Sequence, residues 1–255
     1  MAASQKGYGL ALLSSIPLRE NPDPQAPLQT QVLFGEHFEI KEERKFWVRV
    51  KLADDGEGGW MYRPQYHPIT EEEYQSCTQK GQRTYSGQLV AHVVCERNRL
   101  TPVLLGSRID HLKDFKKEFE GEGLVPEQKK EDLIDLALLY LNAPEQAGGK
   151  SPFGIDAAGF TQMVYKLGGH NIPRQVSDQA KLGEALSFIE ESEPGDLAFF
   201  DNKDGEINHV GIILPNNYLI HVHGQVRIDR LDHTGVFNPE LRSYTHSLRV
   251  IKKIL

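Results

Sequence analysis

Only two cysteines, Cys77 and Cys95, occur among the 255 residues. One bridge is the most they can form, and nothing in their spacing demands it. Neither stands at a clear helix start with a histidine placed as its base, so neither has the setting of a reactive thiolate. Long apolar runs are lacking too, and no stretch approaches the ~20 residues of a membrane-spanning helix. Leu10-Ala11-Leu12-Leu13 is too short for a signal peptide and runs at once into Ser14-Ser15 and a proline turn. As written, the chain reads as cytoplasmic; a secreted or periplasmic location follows only if a leader was removed. Positive charge is not in excess: 29 Lys and Arg face 36 Asp and Glu, a net charge of -7. That balance favours solubility and excludes a nucleic-acid backbone as the expected partner. No glycine pattern of a dinucleotide or phosphate loop occurs, nor a repeat of fixed period, nor a low-complexity tract.

What is present is the composition of an ordinary globular protein, 39% hydrophobic and 25% charged, long enough for two or three small domains. Residues 1–78 read as short strands and turns. Phe46 to Leu52 alternates in part, Asp54 to Gly59 is a hairpin-type turn, and Gly59-Trp60-Met61-Tyr62 starts another strand; together they suggest a small barrel. Thr70, with Glu73 at the box position, caps a helical turn. Thr78 to Gly87 reads as a linker. Residues 79–125, with apolar runs at Leu89–Cys95 and Leu100–Leu105, read as a second patch of strands. At Pro126 the period changes. Leu133, Leu136, Ala137, Tyr140 and Leu141 share a helical face that Asn142 and Pro144 end. Ala157 to Leu167 is the next helix, with Asp156 as N-cap. Ser177 is placed as the cap of a third helix containing Ala180, Leu182 and Leu186. Strands then take over to the end, so residues 126–255 are an α+β domain, helices first and an antiparallel sheet after.

Three stretches of that last domain carry chemistry. Phe153-Gly154-Ile155-Asp156-Ala157-Ala158-Gly159-Phe160 lies at a helix mouth. Pro194-Gly195-Asp196-Leu197-Ala198-Phe199-Phe200 follows, and then His209-Val210-Gly211-Ile212. This order resembles the papain-like cell-wall peptidases of the NlpC family, which carry D-C-S-G-F, P-G-D-L-x-F-F and H-V-G-I. The resemblance is specific over about residues 130–255 and looser before. It implies a papain-like cysteine peptidase fold preceded by two small barrels of the bacterial Src-homology-three type, and the second, smaller barrel-like domain over residues 79–125 is expected chiefly from it. It also implies a nucleophile at position 157, a base at His209 and an orienting residue at His221. Alanine stands at 157. The departures cluster: the family's P-Y-x-W-G-G approach is Pro144-Glu145-Gln146-Ala147-Gly148-Gly149 here, and the serine after the cysteine is Ala158.

A thiolate is what such a site needs at a helix N-terminus, where free N–H groups and the dipole lower its pKa. Without it no acyl intermediate forms. The expectation is therefore a non-catalytic relative that binds a peptidoglycan-derived peptide or a protein partner. The alternatives are a γ-D-glutamyl-L-diamino-acid endopeptidase whose cysteine was replaced by alanine, and a scaffold whose cleft is closed. Related endopeptidases act on peptides with a free N-terminal L-alanine. By that resemblance Asp156 and Ser177 would hold the ammonium, Ala158, Glu145 and Ala147 would line the pocket, and Tyr62 and Tyr66 would face the groove. His221 and His223 lie two apart on one strand face, and with His209 they make a three-histidine set. No nearby Cys or Glu completes it in sequence, and no metal or other cofactor is expected.

Overall fold

The computed structural model describes residues 7–79 and 81–255; the reading of the first six residues lies outside them. Two compact units make up the chain, one of residues 1–126 with 147–152, the other of residues 127–146 with 153–255.

In the first unit, β1 (Gly7–Leu10), β2 (Ser15–Arg19), β3 (Leu28–Leu33), β4 (His37–Glu43), β5 (Trp47–Leu52), β6 (Gly58–Tyr62) and β7 (His67–Ile69) form one barrel-like antiparallel sheet, ordered β3-β2-β6-β5-β4-β1-β7. Strand periodicity builds its core. In β5, Val48, Val50 and Leu52 are buried while Arg49 and Lys51 point to solvent. The buried set packs with Ile16, Leu18, Val32, Phe38 and Met61. Gly59 is required where β6 crosses β2, because a Cβ there would lie 2.9 Å from the Leu18 Cβ.

Helix α1 (Glu71–Gln79) starts at the expected capping box: Glu73 N donates to Thr70 Oγ1 at 3.2 Å, and Thr70 N to Glu73 Oε2 at 2.8 Å. The stretch read as a linker holds a strand. β8 (Tyr85–Ser86) is buried and pairs with β12 (Gly123–Leu124), because Tyr85 has apolar surface to hide amid polar neighbours. Between them, β9 (Val90–Cys95) is flanked by β10 (Arg99–Leu104) and β11 (Glu118–Glu120) in a three-stranded sheet. Its core is Phe34, Ala91, Val93, Val103 and Leu112.

β13 (Lys150–Ser151) also belongs to this unit. Lys150 Nζ donates to Glu36 Oε1 at 3.0 Å, with side chains only 2% and 4% exposed. Glu36 Oε2 accepts from Leu33 N at 2.8 Å, and Lys150 N donates to Gln31 Oε1 at 2.8 Å.

The second unit opens with α2 (Asp132–Leu138). This helix is shorter than its apolar face suggests. Tyr140 N and Leu141 N reach back only three residues, and Asn142 turns the chain at φ 68°. After β14 (Gly154–Ile155) comes α3 (Ala157–Leu167), which packs on α2. α4 (Val176–Gln179) is a single turn whose N-cap position is Gln175, not Ser177, with no side-chain capping bond, and Leu186 lies on β15 (Glu184–Leu186). The expected third helix is thus corrected. Gly183, at φ +59° against the Lys253 carbonyl, turns the chain into an edge strand instead.

β16 (Leu197–Asp201), β17 (Ile207–Leu214), β18 (Tyr218–His223), β19 (Gln225–Leu231) and β20 (Gly235–Asn238) then run antiparallel in chain order. The long β21 (Ser243–Lys253) pairs with β15, β16 and β20 together, which closes the sheet on itself. Ala198, Phe200, Ile213, Leu219, Leu231, Val236 and Ile251 form its core. Burial of each large one contributes roughly 1.5–3 kcal/mol. Helices first and an antiparallel sheet after is the α+β, papain-like order the sequence implied. Among the described residues no helix is long and apolar enough to cross a membrane.

Candidate functional site

α3 begins where local chemistry puts it. Asp156 is extended, at φ −100° and ψ 170°, and its carboxylate accepts from Gly159 N at 2.7 Å. A cap of this kind is worth about 1 kcal/mol. Ala157, half-buried, is the first helical residue, and buried Ala158 follows. Two methyl groups therefore stand at the helix mouth, where backbone N–H groups lack intrahelical partners.

Gln179 clamps this start. It is fully buried, and its Nε2 donates to Ala158 O at 2.9 Å and Pro173 O at 2.8 Å, while Oε1 lies 2.7 Å from Thr161 Oγ1. Arg174, 3% exposed, donates to Asp156 Oδ2 at 2.7 Å. The carboxylate that would hold a ligand's ammonium already faces a guanidinium.

α3 packs against β17 and β18, which carry the two predicted histidines. Gly211 lies opposite His221 in the β17–β18 pairing. A Cβ at Gly211 would sit 2.8 Å from Leu219 and 2.9 Å from the His221 Cβ, so glycine lets these strands meet. His209 Nε2 lies 2.9 Å from His221 Nδ1, and His221 Nε2 lies 3.1 Å from Asp229 Oδ2 on β19. Arg227 grips the same carboxylate at 2.7 and 3.1 Å.

Burial pushes the His209 imidazolium well below its ordinary range, and His246, His221 and His223 add to this. Burial also lowers His221, although Asp229 opposes it. Burial raises the Asp229 carboxyl, but bonds from His221 and Arg227 outweigh it and hold the group below its ordinary value. The result is a neutral imidazole pair, oriented by a carboxylate, able to accept a proton from a nucleophile. Ala157, where the family resemblance expects the nucleophile, carries no ionisable group.

The other predicted residues are spread out. Ser177 is exposed on α4. Glu145 Oε2 accepts from Gly224 N at 2.6 Å, and Glu145 N donates to Gly224 O at 3.0 Å, so this side chain braces the β18–β19 turn. Ala147 is exposed and belongs to the first unit. Tyr62, 42% exposed, ends β6 in that same unit. It stands edge-on to Trp47 at 5.8 Å beside a cavity of about 470 Å³ lined also by Pro17, Arg19 and Phe46. Tyr66 packs edge-on to Phe38 at 5.7 Å. Asp196 is structural: it accepts from Glu193 N and Lys130 Nζ, each at 2.8 Å.

Sequence reasoning missed Asp229, Gln179 and His246. Asp229 had a signal. Counting back from the Gly224 turn pairs His221 with Arg227 and Leu219 with Asp229, on one sheet face. His246 had none. Register shifts at Phe199/Phe200 and Val236/Phe237 break any count along β21. His246, not His223, is the residue that stacks on His209, with ring centres 3.9 Å apart.

Residues 144–244 match the NlpC/P60 family, and residues 18–63 match the bacterial dipeptidyl-peptidase Sh3 domain. A gamma-D-glutamyl-L-lysine dipeptidyl-peptidase of Bacillus subtilis is 29% identical over 219 residues, covering 76% of this chain and 72% of that protein. Dipeptidyl-peptidase 6 of Lysinibacillus sphaericus is 26% identical over 256 residues, covering 84% of this chain and 88% of that one. The crystal structure of an NlpC/P60 family protein from Bacillus cereus superposes with a TM-score of 0.81 at 21% identity, covering 97% of this chain and 99% of that one. At that identity the likeness concerns the fold.

Proposed function

From the premise that this chain carries an NlpC/P60 domain beside a bacterial dipeptidyl-peptidase Sh3 domain, we propose that it is a relative of cell-wall peptidases that binds a cell-wall-derived peptide without cysteine-peptidase chemistry. One observation carries this reading. Ala157 occupies the first position of α3, which Asp156 caps, Gln179 clamps and the strands of His209 and His221 pack against, and where the family resemblance expects a nucleophile. A methyl group has no lone pair to attack a carbonyl, so the His209–His221–Asp229 chain has nothing to activate.

The ligand class is a γ-D-glutamyl peptide with a free N-terminal L-alanine, on the side of the γ-D-glutamyl-L-lysine bond that the similar dipeptidyl-peptidases are named for. Titration with L-Ala-γ-D-Glu, followed by calorimetry, tests it. Saturable heat at millimolar ligand or below, with no release of dipeptide from a γ-D-glutamyl-L-lysine substrate, is the expected pair of results. Absence of heat would remove the ligand, and turnover abolished by His209→Ala would remove the whole reading.

A second reading has its own support. Arg174 donates to Asp156 at 2.7 Å and Gly224 N to the Glu145 carboxylate at 2.6 Å, so both carboxylates already have partners within the chain, which favours a scaffold. In that case a protein partner replaces the peptide. The calorimetry then stays flat for wild type and gains heat in Arg174→Ala, which frees the Asp156 charge. The codon for residue 157 in the source chromosome decides whether alanine replaced a cysteine.

A further inference from the structure

A proton relay needs two imidazoles, and this site has three that converge. We propose that His209, His221 and His246 together bind a divalent transition-metal ion, with zinc as the best match to the donor set. One ligand nitrogen from each lies within 4.8 Å of the other two. Tetrahedral zinc with Zn–N of about 2.0–2.1 Å requires nitrogens roughly 3.3 Å apart. The His209–His221 pair, at 2.9 Å, therefore has to open by only a few tenths of an ångström. The His209 and His246 rings are stacked, with planes 19° apart, so the half-buried His246 ring has to turn about its side-chain bonds before both in-plane lone pairs meet at one ion.

The surroundings are those of a ligand set. His221 turns its Nε2 to Asp229, at 3.1 Å, and Asp229 is fixed in turn by Arg227. A carboxylate behind the far nitrogen sets the tautomer and raises the basicity of the near one, as metal-ligating histidines require. His246 Nδ1 lies 2.9 Å from Thr245 Oγ1, which assigns Nε2 as its ligand atom. The three residues come from β17, β18 and β21 of one closed sheet, so hydrogen-bonded strands hold the donors in place. Three imidazole donors suit zinc, and the same nitrogens accept cobalt as a spectroscopic stand-in.

The experiment uses the full chain, free of any affinity tag and stripped with chelator, titrated with zinc chloride alone and separately with cobalt chloride. One equivalent of zinc by elemental analysis after gel filtration, and the visible bands of tetrahedral cobalt, are expected. His246→Gln should abolish both while leaving the circular dichroism spectrum unchanged, because the side chain is only half-buried. Asp229→Asn should weaken binding about 10–100-fold. His223→Gln should keep full stoichiometry. Substoichiometric zinc in the wild type overturns the site, and so does binding that survives His246→Gln. Loss of binding in His223→Gln alone would move the metal elsewhere. None of these readouts depends on whether a peptide binds.

Discussion

Replacing Lys150 by methionine tests the buried ion pair of the first unit. Lys150 Nζ and Glu36 Oε1 are 3.0 Å apart with both side chains almost fully buried. At an effective dielectric of about 20, two unit charges at that separation attract by roughly 5–6 kcal/mol before desolvation is counted. Methionine keeps the apolar stem of the lysine and deletes the charge. The Glu36 carboxylate, held by Leu33 N at 2.8 Å, then stays buried after losing the Lys150 charge. Breaking such a pair from one side costs about 3–5 kcal/mol. The assay is unusually clean, because the two tryptophans, Trp47 and Trp60, both belong to this unit and report its unfolding alone. With a urea slope of about 2 kcal/mol per molar, the fluorescence midpoint of Lys150→Met should fall by roughly 1.5–2.5 M. Glu36→Gln added to that background removes the stranded charge and should restore about half of the loss. A single-variant midpoint within about 0.3 M of wild type, or a double variant less stable than the single, would refute the ion-pair assignment.

Ala157→Cys puts a thiol at the first position of α3, yet hydrolysis of a γ-D-glutamyl-L-lysine substrate should stay at background, since Glu145, Ala147 and Ala158 still stand where the family pattern has tyrosine, tryptophan and serine; mass spectrometry of released dipeptide decides, and turnover lost again on His209→Ala would show that the thiol was all that was missing. Burial, aided by the neighbouring Arg108 charge, lowers His37 to about 4, with Asp54 opposing and His111 and Arg83 adding to the drop. The folded state thus prefers the neutral ring. Its contribution is fully present above about pH 6.5 and is lost as pH falls toward 4, to a ceiling of about 3 kcal/mol. The difference between wild type and His37→Gln in tryptophan-monitored urea melts should shrink across that window, and parallel pH curves would contradict it. Gly211→Ala should cost about 1–3 kcal/mol by forcing Leu219 and His221 aside, read from far-ultraviolet thermal melts.

Local features were legible in the sequence and distant ones were not. The Thr70–Glu73 box and the Asp156 cap each span three residues, so their chemistry shows in the string itself. The alternation of β5 and the apolar run of β16 likewise announce strands. The family frame supplied only the expected roles of Ala157, His209 and His221. What sequence could not show was closure between elements far apart. Lys150 finds Glu36 across 114 positions, and His246 reaches His209 only through a strand bent by two bulges. Arg174 and Gln179 were each visible as polar residues near a turn. Their grip on the mouth of α3 depends on a fold-back that no periodicity encodes.

The three-way pairing of β21 has a temporal side. Among the elements of the second unit this strand leaves the ribosome last, and until it arrives β15, β16 and β20 each keep an open edge. Exposed edges of that kind recruit foreign strands. The nascent chain must therefore wait for this eleven-residue strand before β16 and β20 are covered.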